Sequence, residues 1–158
     1  MEQGKFIELV SDFVRYAQIE SVSQIPDDLD HVSFASDGVT CSIYPHPQED
    51  VLILEADVSR LEPFDPSDGF RAAMALHELN FAARLRTGMV ASISPENLLV
   101  LSKNYPAAKL TGQRLAEEVV RIVDAATHFR QTWNSILESS SSVPVSAESS
   151  ELDMLNRI

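Results

Sequence analysis

The stretch SDGFRAAMALHELNFAARL, residues 67–85, decides the fold, because read as one helix it is apolar on two sides. Phe70, Met74, His77 and Phe81 recur at steps of three and four and form one stripe. Ala72, Leu76, Leu79 and Ala83 form a second. A surface helix normally buries a single stripe, so a helix with two needs two partners. One side can meet a sheet of the same chain, and the other is predicted to meet a second subunit. The start of the helix is marked as well. Asp65 can cap it, Pro66 suits its first turn, and Asp68 lies where free N–H groups favour negative charge.

Upstream, residues 2–18 carry Phe6, Leu9, Val10, Phe13 and Ala17 at helical spacing, with Lys5, Glu8, Asp12 and Arg15 opposite, which predicts an amphipathic helix. SQIPDDLD (23–30) breaks that pattern as a loop. Three strand signals follow: HVSFA (31–35), VTCSIY (39–44) and VLILEADV (51–58), joined by the turns SDG and PHPQED. In the second, Val39, Cys41 and Ile43 share a face. In the third, Leu52, Leu54, Ala56 and Val58 point inward, and Val51, Ile53, Glu55 and Asp57 point the other way.

Downstream, RTGMVASIS (86–94) and NLLVLSK (97–103) read as two more strands. Thr111 is placed to cap a long helix running to about residue 137, with Leu115, Val119, Ile122, Ala126, Phe129, Trp133 and Ile136 on its buried stripe. The fold class is therefore α+β, in the order α-β-β-β-α-β-β-α, with an antiparallel twisted sheet packed by helices. Residues 1–137 form one domain. Residues 138–158 are Ser-rich and predicted to be a disordered tail, whose last residues, ELDMLNRI, either fray or dock on a partner.

Charge and chemistry narrow the function classes. The net charge is −12 over 158 residues. Between Glu20 and Asp68 stand twelve acidic residues and one base, Arg60, whereas from Gly69 onward nine acids meet nine bases. An acidic half repels nucleic acid and anionic membranes and attracts cationic polypeptides. No apolar run approaches the ~20 residues of a membrane span, and the opening MEQGKFIELV is unlike a signal peptide, so a cytoplasmic protein is expected. Cys41 is the single cysteine and reads as a small buried hydrophobe. The four histidines lack metal-ligand spacing, and no nucleophile elbow, phosphate loop or dinucleotide fingerprint occurs. No enzyme, metal or cofactor is expected.

The order of elements, together with FIELVSDFV (6–14), the hairpin strands VTCSIY and VLILEADV, AAMALHELNFAARL (72–85) leading into GMVASIS (88–94), and LAEEVVRIVDAATHFRQTW (115–133), resembles the class I type III secretion chaperones of the Tir chaperone, or CesT, family. Within that family the pattern is similar to the HpaB-like multi-effector export chaperones of plant-associated bacteria. The resemblance implies a homodimer built on the second helix. It implies that the N-terminal segments of secreted effector proteins are held extended and non-globular for type III export. It makes the type III export ATPase a candidate further partner, and it requires no cofactor. For the dimer interface it points to Leu76, Leu79, Ala83 and Met89. Surface logic assigns effector contacts to Phe6, Phe34, Ile43, Val51 and Ile53, with the core as the competing place for the first four. Two other classes stay open: a regulatory or sensory protein-binding domain of the same fold, and a small hydrolase gathering His77 or His128 with a carboxylate in a pocket.

Overall fold

The structure, a computed structural model, describes residues 1–18, 29–61 and 66–141. Helix α1, Gln3–Tyr16, buries Phe6, Leu9, Val10 and Phe13, the stripe that its sequence spacing marks. Strands β1 (Val32–Ser36), β2 (Val39–Pro45) and β3 (Val51–Arg60) follow as an antiparallel meander. Asp37 and Gly38 carry φ of 49° and 75°, so the β1–β2 turn is a two-residue hairpin with both central residues left-handed. That geometry matches the natural twist of paired strands, and Asp-Gly supplies it at low strain.

Helix α2 spans Pro66–Thr87. Gly88, at φ 70°, donates its N–H to the Arg84 carbonyl and terminates the helix. The strand expected over 86–94 is accordingly short: β4 covers Val90–Ile93. β5, Leu98–Pro106, returns beside it through a turn in which Asn97 has φ 58°. After one 3-10 turn, Ala107–Lys109, helix α3 runs from Gly112 to Ser141, past the boundary expected for the domain. Thr111 caps it as expected, its hydroxyl accepting the Arg114 N–H at 3.2 Å. The expected cap of α2, Asp65, and residues 142–158 lie outside the described residues.

Among the described residues five strands form one sheet, in the order β1-β2-β3-β5-β4. One sheet face is packed by α1 and α3, and Val39, Cys41, Ile43, Leu52, Leu54, Ala56, Leu99 and Leu101 from the strands meet Phe6, Phe13, Leu115, Ile122 and Trp133 there. Each large side chain buried in this way contributes about 1.5–3 kcal/mol, so this layer dominates the stability of the protomer. The register of β3 on β5 shifts between Asp57 and Ser59, and Arg130 of α3 donates to the Asp57 carbonyl at 3.2 Å and to the Val58 carbonyl beside it. The guanidinium thus satisfies two carbonyls at the irregularity, where Val58 drops out of the register. At the other end of α3 the backbones of α1 and α3 meet at Gly112, where a Cβ would fall 2.4 Å from the Asp12 carbonyl carbon.

Candidate protein-binding surfaces

Two surfaces of this fold offer what a polypeptide partner needs. The first is the outward side of α2. Phe70, Phe81 and Leu85 are 69%, 68% and 72% exposed and Met74 is half exposed, and Val90 and Ile93 of the neighbouring β4 are exposed as well. Soluble monomers rarely leave that many large apolar side chains together in water. Both stripes read from the sequence are present, but their roles are now assigned. Ala72 and Ala75 are buried, and Leu76 and Leu79 pack against the core. The alanines let the helix lie close to the protomer, which turns the bulky Phe70–Phe81 stripe outward.

Of the residues expected at a dimer interface, Leu76 and Leu79 sit on the inward stripe. Leu76 and Leu79 are part-buried in their own protomer, and Met89, at 2% exposure, belongs to its core. The Ala83 side chain lies outside what is described. His77, on the Phe70–Phe81 stripe, is exposed on α2 of the protomer.

The second surface is the β1 end of the sheet. β1 pairs only with β2 among the described residues. Strand alternation and the register Ser36↔Val39, Phe34↔Cys41, Val32↔Ile43 turn the backbone groups of Ser33 and Ala35 away from β2. Phe34, half-buried, lies at this margin with its ring 5.4 Å from that of Phe13. The sheet face opposite α1 and α3 carries Val51 and Ile53, both half-buried, beside Tyr44, whose hydroxyl donates to Glu55 at 3.0 Å. Phe6 and Ile43 are different. Both are wholly buried, Phe6 by the α1 stripe and Ile43 by the inward face of β2, so in the protomer they are core residues and not the surface contacts expected of them.

The titratable groups are arranged for structure. Among the described residues Glu118 is the one buried charged side chain, at 1% exposure. It accepts from the Tyr105 hydroxyl at 2.7 Å and pairs with Arg114 at 2.8 Å, Lys103 at 3.6 Å and Arg121. Burial alone raises its pKa, but Tyr105 and the three cations outweigh that and hold the carboxyl below its ordinary value. A carboxylate held ionised in this way cannot serve as a general acid. Its removal should register as stability. Glu118→Gln is expected to cost about 2 kcal/mol at pH 7, since charge-assisted bonds are lost from a buried site. A depressed pKa contributes stability that is present above the unfolded value of 4.5 and is lost as pH falls below it. The gap in urea midpoint between parent and variant should therefore shrink as pH is lowered through that range.

Cys41 is pushed up to about 11 by burial, with the Asp57 charge adding to the effect, so its thiol is protonated and inert at neutral pH. Among the described residues no His, Cys, Asp or Glu group could hold a metal ion. A cleft of about 330 Å³ between α1 and the 3-10 turn is lined by Lys5, Glu8, Asp12 and Asp50, with neither His77 nor His128 in it. Among the described residues no helix is long and apolar enough to cross a membrane.

Residues 8–130 match the model of the Tir chaperone protein (CesT) family. The chain belongs to that family. Membership makes it a type III secretion chaperone and not an enzyme. No curated protein matches it. Among solved structures, a chain of the HopA1–SchA chaperone–effector complex is similar over 82% of this chain and 95% of its own, at 15% identity and a TM-score of 0.63. A chain of the ExsC–ExsE complex matches with 16% identity and a TM-score of 0.55, over 77% of this chain and 90% of its own. The structure of the Yersinia pestis type III secretion chaperone SycH with a stable fragment of YscM2 gives 14% identity and 0.54, over 78% and 98%. At such identities these are likenesses of fold.

Proposed function

We propose that this chaperone works as a homodimer in the cytoplasm and holds the N-terminal segment of an effector as an extended strand added to β1. The observation that carries the proposal is the outer edge of β1, where the backbone groups of Ser33 and Ala35 have no partner among the described residues. An added strand gains main-chain bonds there that are independent of guest sequence, which suits a chaperone serving unlike clients. Phe34 and Val32 flank such a strand on the helix side, and Ile53 and Val51 offer further apolar contact on the open face. β1, β2 and β3 also lie in the acidic part of the chain, so basic segments should arrive faster at low salt. In a two-fold dimer the guest meets two such edges, and engaging both raises affinity with no new kind of contact. The Ser-rich segment, of which residues 142–158 fall outside the described residues, is the proposed contact for the export ATPase.

The test uses the ladder itself. The Ala35 N–H points away from β2, so Ala35→Pro removes an outward donor and spares the β1–β2 bonds. Co-expressed effector N-terminal segments should be retained at least tenfold less by Ala35→Pro, while its thermal unfolding stays near the parent. Undiminished capture with an intact fold would rule out strand addition at β1, and would favour a partner held on a folded surface.

A further inference from the structure

Among the described residues the sheet ends on two strands, β1 and β4, and each is an edge of the kind that accepts an added strand. We infer that Asn80 closes the β4 edge, so that strand addition is confined to β1. Ala91 is the middle of the matter. The Asn80 carboxamide donates from Nδ2 to the Ala91 carbonyl at 2.7 Å and accepts the Ala91 N–H on Oδ1 at 2.6 Å. Both groups therefore face α2 and not β5, and one side chain occupies them as a neighbouring strand would. The amide of Asn80 has the same donor and acceptor as a peptide unit, so the imitation is chemically complete.

The closure extends along the edge. Met89 has the same outward parity as Ala91, and its N–H donates to the Thr87 hydroxyl at 3.3 Å. With β4 only four residues long, from Val90 to Ile93, its outward-facing strand residues are Ala91 and Ile93, so with Ala91 occupied an incoming strand is left with the groups of Ile93 and no run of them. A guest at β4 must break two bonds to Asn80 for the two it makes with Ala91, whereas at β1 no described residue holds the outward groups of Ser33 and Ala35. The consequence for guest binding rests on the strand-addition reading above; the closure of the edge does not.

The experiment needs no effector. Asn80→Ala in the full chain should speed exchange of the Ala91 amide at least tenfold by NMR. Its molar mass in light scattering should rise above the parental value with concentration, as opened edges pair. Adding Ser92→Lys, a charge on the exposed edge, should return the mass to the parental value while the Ala91 amide stays fast. If Asn80 merely fixed the position of α2, the added lysine would not restore the mass, and that result overturns the inference. So does an Ala91 amide as protected in Asn80→Ala as in the parent. Should Asn80→Ala fail to fold, Asn80→Ser, with a hydroxyl too short to bridge both groups, is read by the same two measurements. An unchanged Asn80→Ala alongside an Ala35→Pro that loses its guest sinks this inference alone. The reverse pair of results sinks strand addition at β1 and leaves the closed edge standing.

Discussion

A Phe81→Asp variant is expected to elute at half the molar mass of the parent in light scattering, with its circular dichroism retained. Phe81 is among the most exposed large apolar residues, and it sits between Met74 and Leu85 on the outward stripe of α2. Burying a phenylalanine contributes about 1.5–3 kcal/mol. In a two-fold interface each substitution is present twice, so the loss doubles before the cost of burying two carboxylates is counted. A change of several kcal/mol weakens a dimer by a factor of about a thousand or more. The protomer should not notice, because its own core lies on the opposite side of α2. Leu79→Asp separates the two sides of the helix. Leu79 packs against the core, so that variant should lose thermal stability as well. A parent that is monomeric, or a Phe81→Asp protein that keeps the parental mass, would remove the proposed interface.

The contrast between Phe81 and Leu79 shows where the sequence stops being informative. The spacing in SDGFRAAMALHELNFAARL announces two apolar stripes but carries no sign saying which faces home. Size supplies that sign only once the sheet is in view. The alanines at 72 and 75 permit close approach, and phenylalanines at 70 and 81 would hold the helix away. The element order and the α1 and α3 stripes were legible because each is long, strongly periodic and buried on one side. Phe6 and Ile43 follow from the same periodicities, and their placement in the core is what those stripes imply when taken alone.

Glu118 was hidden for a different reason. In LAEEVVR it reads as one of two solvated acids, and its burial depends on Lys103 and Tyr105 arriving from β5. The local signal was the pair of arginines, Arg114 and Arg121, four residues before and three after it on one helix face. Asn80 had no local signal. A bidentate bond to a strand eleven residues away is a product of the fold, because it needs α2 laid along β4.

Gly112→Ala is expected to destabilise the chaperone by about 3 kcal/mol or more, although helix propensity argues for the opposite sign. Exchanging glycine for alanine within a helix gains up to about 1 kcal/mol when nothing else changes. Here the new methyl would stand 2.4 Å from the Asp12 carbonyl carbon, 2.6 Å from the Phe13 nitrogen and 2.7 Å from the Asp12 Cβ. Two of these are backbone atoms, so no side-chain rotation can relieve the clash. The helices must separate, and α1 carries Phe6, Val10 and Phe13 out of their packing when it moves. Overpacking in a core costs about 1–3 kcal/mol where side chains can adjust, and more where they cannot. Gly4 provides the control, since a Cβ there meets nothing within 4 Å. Gly4→Ala, in the first turn of α1, should therefore raise the urea midpoint slightly while Gly112→Ala lowers it sharply. If both variants moved in the same direction, the close crossing of α1 and α3 at Gly112 would be refuted, and with it the seating of Phe13 beside Phe34 at the β1 margin.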